Sequence, residues 1–138
     1  MAVADIDEKT IQELVNRARQ VSKHAYCPYS GFPVGAAVLS AQGDIFAGCN
    51  VENASLGLTI CAERSAIFRM IAEEQQQLVA VAIYTPTPTP HAPCGACRQV
   101  INEFGPRAQL ISVCDGPGML RLSLGELLPR AFGPTDLE

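Results

Sequence analysis

The chain has 138 residues, 48% of them hydrophobic and 17% charged, a balance that suits a single globular domain spanning 1–138 and argues against disorder. Its net charge is −4 and its ten Lys and Arg are scattered, which argues against a nucleic-acid partner, since that needs clustered cations to replace counterions. No apolar run approaches the roughly 18 residues of a membrane span, and the acidic opening "MAVADIDEKT" has no leader-like apolar core, so a soluble cytoplasmic protein with no membrane partner is expected.

The first element is a helix in "DIDEKTIQELVNRARQVSKHAY" (5–26). Ile11, Leu14, Val15, Ala18, Val21 and Ala25 recur at steps of three and four, Asp7 is placed to cap, and Pro28 lies beyond the end. Its basic group "NRARQVSK" reads as the solvated face of that helix. "VGAAVLSAQGDIFAGCNVEN" reads as two strands around a turn at Gln42-Gly43-Asp44. Residues 60–74 predict a helix with Ala66, Ile67, Met70 and Ile71 along one face. "LVAVAIYT" (78–85) is an apolar run of strand length, as a strand covered on both faces requires. "PTPTPHAP" must be loop, because its four prolines remove donors and fix φ. A helix from about Cys94 to Phe104, strands in "AQLISVC" and "LRLSL" around "DGPG", and a helical segment in "LGELLPRAF" complete the chain. Strands alternating with helices after an opening helix and hairpin predict an α/β layered sandwich with a mixed sheet. Sites in such sheets gather where strands end and helices begin.

Six cysteines occur, at 27, 49, 61, 94, 97 and 114. Without a leader, free thiols or a metal site are expected rather than disulfides. Cys94 and Cys97 stand in C-x-x-C spacing at a helix start, where two thiols reach one ion and thiolate is favoured. Alone, that spacing fits a zinc site, a redox dithiol or a coincidence of two unrelated thiols. Cys61, at a second helix start, would make three ligands and leave a fourth position open, the arrangement of catalytic rather than structural zinc. Such chemistry also needs a carboxylate to move protons from an acidified water, and Glu63 lies two residues from Cys61. The alternative, a capping-box acid, fits poorly, because Thr59 precedes Glu63 by four positions and not three. Cys61-Ala62-Glu63 followed by Pro93-Cys94-Gly95-Ala96-Cys97 has the pattern of zinc deaminases.

The chain resembles the small, homotetrameric cytidine deaminases through "AYCPYSGFPVGAAV", "GCNVENAS", "ICAER", "PCGACRQV" and "LLPRAFGPTDL". The resemblance implies a three-layer α/β/α sandwich with a five-stranded mixed sheet, one Zn2+ per chain, and hydrolysis of cytidine and 2'-deoxycytidine to the uridines with release of ammonia. It implies zinc on Cys61, Cys94 and Cys97, proton transfer by Glu63, and Arg64 offsetting the thiolate charge. It places Asn50 and Glu52 on the ribose hydroxyls, Phe32 against the pyrimidine, and Ala62 among the substrate contacts. Leu56 and Phe132 are expected to reach a neighbouring subunit's site. Read without the resemblance, Asn50 and Glu52 are turn polarity at a strand end, Phe32 could equally sit in the core, and Phe132 packs a terminal helix.

Departures from the family pattern are Leu56, where an aromatic residue is usual, Ala92 in place of serine, and the approach "TPTPTPH" to the metal loop. Arg98 reads equally as a charge partner or a surface residue. His91 is a conceivable ligand but a loop histidine is more often solvated, and Cys27, Cys49 and Cys114 read as small core or loop residues. Two other readings stand beside the leading one. A related aminopyrimidine nucleoside such as blasticidin S could be the substrate. A non-catalytic zinc-stabilised module would need a fourth protein ligand, His91 or Cys49.

Overall fold

The computed structural model describes residues 6–138. Residues 1–5, the first half of the opening "MAVADIDEKT" read above and with them Asp5 of the first helical stretch, lie outside them. α1 spans Glu8–Ser22, and the Asp7 carboxylate caps it by accepting the Thr10 N–H at 2.8 Å. It stops at Ser22, four residues short of Tyr26. There the Tyr26 N–H and carbonyl are taken by Asn50 and Glu52 in a short β-bridge region, so the backbone leaves the helix to pair elsewhere.

β1 (Gly35–Ser40) and β2 (Ile45–Cys49) form the expected hairpin, turned at Gly43 with φ 91°. α2 covers Ala62–Ala72, shorter at both ends than 60–74, and Cys61 is its N-cap. β3 (Leu78–Tyr84), α3 (Gly95–Phe104), β4 (Gln109–Val113) and β5 (Met119–Ser123) follow. α4 is a single turn, Leu124–Leu127, not a helix over 124–132. Its start is well made, with a Ser123–Glu126 capping box, but Pro129 forces Leu128 into extended backbone and Arg130 adopts a left-handed φ of 56°.

The sheet order is β2-β1-β3-β4-β5, with β3–β4 parallel and the other pairs antiparallel. Alternate residues face opposite sides, as the pleat requires. Ala37, Leu39, Ala80, Ala82 and Ile111 pack under Ile11, Leu14 and Ala18 of α1. Ala36, Val38, Val81, Ile83 and Leu110 pack against Ile67 and Met70 of α2 and Ile101 of α3. The result is the three-layer α/β/α sandwich with a five-stranded mixed sheet, and the apolar run of β3 is covered on both faces. Among the described residues no helix is long and apolar enough to cross a membrane.

The helix that carries Glu63 sits unusually close to the sheet. A Cβ on Gly48 would lie 2.4 Å from the Ala66 backbone nitrogen, so β2 and α2 meet backbone to backbone. Gly48→Ala should therefore cost about 1–3 kcal/mol by overpacking, lowering the melting temperature by several degrees. An unchanged thermal midpoint would mean that this spacing adjusts freely.

Candidate metal centre and active site

Cys61 and Cys94 are the N-cap residues of α2 and α3, and neither side chain makes a capping hydrogen bond. Both thiols are thus left for another partner at the positive ends of two helices. Cys97, one turn into α3, is fully buried beside them. The three sulfurs all lie within 4.8 Å of one another, with Cys61 and Cys94 3.9 Å apart. Sulfurs each about 2.3 Å from a tetrahedral zinc stand roughly 3.8 Å apart, so this donor set fits zinc.

The charge chemistry agrees. The Cys61 thiol is drawn down to about 5, first by a hydrogen bond with Cys97, against the cost of burial, and then by Arg64. Cys97 moves the opposite way, held far above the ordinary thiol range by that same bond and by burial. Arg64 Nη2 donates to Cys61 Sγ at 3.2 Å, and the sulfur holds the guanidinium charged even more firmly than usual. The Arg64 Nε is buried without a partner among the described residues. A cation has been placed against an anionic sulfur cluster, as an electron-rich metal site requires.

Glu63, in the first turn of α2, is 5% exposed, and burial pushes its carboxyl above the usual range. It caps nothing, in keeping with the spacing to Thr59. With Cys61, Ala62 and Cys94 it lines a half-open cavity of about 460 Å³. Phe32, Asn50 and Glu52 line the same cavity from the other segments. Val51 bridges Ile60 and Tyr26, so its neighbours Asn50 and Glu52 project together from one extended segment.

These two residues also do something the sequence did not suggest. Asn50 Nδ2 donates to the Phe32 carbonyl at 2.8 Å, and its Oδ1 accepts the Val34 N–H at 2.9 Å. Glu52 Oε1 accepts the Tyr29 and Ser30 N–H groups at 2.9 and 3.1 Å, bonds that hold its carboxyl below the usual range. Together they clamp the 29–34 loop over the cavity. Arg98 likewise acts as a staple, donating to the Pro93 carbonyl at 2.8 Å and the Leu127 carbonyl at 3.0 Å. That fixes the loop carrying Cys94 to the C-terminal segment.

Leu56 and Phe132 do not line this cavity; they are 73% and 60% exposed. The Phe132 carbonyl accepts from Gln99 at 2.8 Å and Asn102 at 3.3 Å, which holds the segment on α3 while the ring stands free. His91 lines the cavity but is not among the three clustered ligands. Cys27 and Cys49 are half-buried and Cys114 is buried, all as free thiols. Thr85 lines the cavity as well and went unnoticed in the sequence. Its signal was alternation along β3, which puts it on the same face as Ile83.

A mixed-sheet α/β/α sandwich with three thiols and a buried carboxylate gathered at two helix starts is the architecture of a zinc-dependent deaminase. The zinc-binding region of cytidine and deoxycytidylate deaminases matches residues 8–113. A cytidine deaminase of Halalkalibacterium halodurans is 43% identical over 127 residues, covering 91% of this chain and 96% of that one. The crystal structure of cytidine deaminase from Burkholderia pseudomallei superposes with a TM-score of 0.84 at 44% identity, covering 88% of this chain and 98% of that chain. That of cytidine deaminase from Mycobacterium tuberculosis gives 0.77 at 39% identity, covering 94% and 100%. The chain belongs to the cytidine deaminase family, and zinc is its cofactor.

Proposed function

We propose that this chain hydrolyses cytidine and 2'-deoxycytidine to the corresponding uridines, releasing ammonia, as a single-domain cytoplasmic enzyme of pyrimidine salvage. The observation that carries the reading is the sulfur triad, with Cys61 and Cys94 facing the same cavity of nucleoside size as buried Glu63 and Cys97 buried behind them. Zinc would be held by Cys61, Cys94 and Cys97 and would supply Lewis acidity that brings the pKa of water near neutrality. The chain's own residues do the rest. Glu63 takes the proton from water as the oxygen attacks C4, delivers it to ring N3, and later carries a proton to the departing amine. Its burial keeps bulk water from competing for that proton. Arg64 offsets the negative charge of the sulfurs, which would otherwise oppose deprotonation of the attacking water.

Asn50 has a second amide N–H beyond the one spent on Phe32, and Glu52 has Oε2 beyond the oxygen spent on Tyr29 and Ser30. Those free groups suit the two ribose hydroxyls. Because the same residues fix the backbone of the 29–34 loop, binding the sugar and placing the Phe32 ring against the base are one event. Ala62, in the cavity wall between Cys61 and Glu63, contacts the base edge.

An absorbance assay on the zinc-replete protein with cytidine, deoxycytidine and blasticidin S tests activity and substrate class together. Turnover of both nucleosides is expected. Activity on blasticidin S alone would move the assignment to that class, and four protein ligands to the metal would favour the non-catalytic module.

The exposed side chains of Leu56 and Phe132 support a homotetramer with sites shared between subunits, in which each chain lends these residues to a neighbour's cavity. Sedimentation should then give four times the 14.7 kDa chain mass. Phe132→Ala chains keep Glu63, and Glu63→Gln chains keep the ring to donate. Co-expressed mixed oligomers should regain activity well above the mean of the two variants alone. Activity no higher than that mean would place Phe132 in service of its own chain or of none.

A further inference from the structure

The segment "TPTPTP" that leads into the metal loop is built as a relay. Three threonines alternate with three prolines at 85–90. Proline fixes its own φ, and across Pro86 the Thr87 N–H closes back on the Thr85 carbonyl as a γ-turn, which brings the two threonine side chains together. The Thr85 and Thr87 hydroxyl oxygens lie 2.8 Å apart, and the Thr87 hydroxyl donates to the Thr89 carbonyl at 2.7 Å. A carbonyl only accepts, and a threonine hydroxyl has a single proton. The Thr87 proton is therefore committed to Thr89, and the first contact requires Thr85 to donate to Thr87.

The backbone holds this direction in place. Thr85 N–H extends the β3–β4 pairing by donating to the Val113 carbonyl at 3.2 Å, and the Thr85 carbonyl accepts the Thr87 N–H at 2.9 Å. The Thr87 carbonyl accepts the Asp115 N–H at 2.9 Å, and Gly116 passes so close to the Pro88 carbonyl that a Cβ there would stand 2.1 Å from it. Thr85 itself is buried, 8% exposed, whereas Thr59 and Ser30, the other hydroxyls lining the cavity, are half-buried and exposed.

We propose that Thr85 is a specificity-determining residue: with its proton drawn away to Thr87, its oxygen offers the cavity lone pairs alone and accepts an N–H from the exocyclic amine of the substrate and from the ammonia that leaves. A carbonyl at the same carbon, as in the uridine product, meets an acceptor with an acceptor and is repelled. The relay thus favours amine over oxo at the reacting carbon and helps the product depart. This inference rests on the deaminase reading above.

The test compares Thr85→Val, Thr85→Ser and Thr87→Val, each zinc-replete, by kcat/KM for cytidine and by calorimetric Kd for uridine, which does not depend on turnover. One neutral hydrogen bond corresponds to about three- to tenfold in each constant. Thr85→Val should lower kcat/KM for cytidine by about that factor without weakening uridine, and Thr85→Ser should restore it. In Thr87→Val the Thr85 hydroxyl is free to rotate and donate, so uridine should bind about three- to tenfold tighter while cytidine loses efficiency. A residue that merely shapes the fold would move both ligands in the same direction. Same-direction shifts, or none, in an enzyme that deaminates cytidine normally would overturn this inference alone. Failure of the zinc-replete wild type to deaminate cytidine would overturn it together with the functional reading.

Discussion

Glu63→Gln is expected to fold, to keep its zinc and to bind nucleoside, yet to lose roughly 10²–10⁴-fold or more in turnover. The carboxamide has the shape of the carboxyl and can fill the same space inside the cavity wall. It cannot carry a proton. Glu63 is proposed to act on the attacking water, on ring N3 and on the leaving amine in one turnover, so the loss enters at more than one step. Folding is not at risk, because no element depends on this side chain: the N-cap of α2 is Cys61, and the helix packs through Ala66, Ile67 and Met70. An uncharged amide is also easier to bury than a carboxylate. Zinc per chain, a calorimetric Kd for uridine and single-turnover rates on cytidine separate the three properties. Turnover within about threefold of wild type would remove Glu63 from proton transfer. A parallel loss of uridine binding would instead give it a role in holding the base.

What the sequence revealed about this site, and what it hid, divides along a physical line. Cys61, Glu63, Cys94 and Cys97 were legible because a metal needs particular atoms at short spacing, and helix starts announce themselves locally. The sandwich was legible too, since the unbroken apolar run in β3 reports a strand covered on both faces. The clamps were not. Asn50 and Glu52 were read for what they offer a sugar, while most of their observed bonding goes to the backbone of residues 29–34, 16 to 23 positions away. Arg98 reaches 29 positions to Leu127. No periodicity encodes such a bond, because a backbone carbonyl carries no residue identity. The helix expected over 124–132 failed for the opposite reason. Its apolar pattern was genuine, but Pro129 set a local limit that outweighed it.

Replacing Cys97 by alanine is the sharper test of the metal centre, because that sulfur is fully buried and has no surface role to confuse the outcome. Zinc present at a thousandfold above its Kd stabilises a folded chain by about 4 kcal/mol, on the order of 10 °C in melting temperature for a protein of this length. A strong chelator should therefore lower the melting temperature of the wild type by about that amount. In Cys97→Ala two sulfurs remain, too few to hold the ion against a chelator, so the variant should purify with little zinc, show almost no chelator-dependent shift and lack turnover. Cys94→Ala should behave in the same way. Cys27→Ala and Cys114→Ala remove thiols outside the triad and should keep one zinc per chain and the full chelator shift. Cys114→Ala carries an added control, since its thiol lies 3.6 Å from the Pro88 carbonyl and within 3.7 Å of the carbonyls of Gly116 and Gly118. Losing it should lower the melting temperature with or without the chelator, a shift that does not depend on metal. If all four variants lost zinc equally, or if Cys97→Ala retained a full complement, the three-sulfur assignment would be wrong.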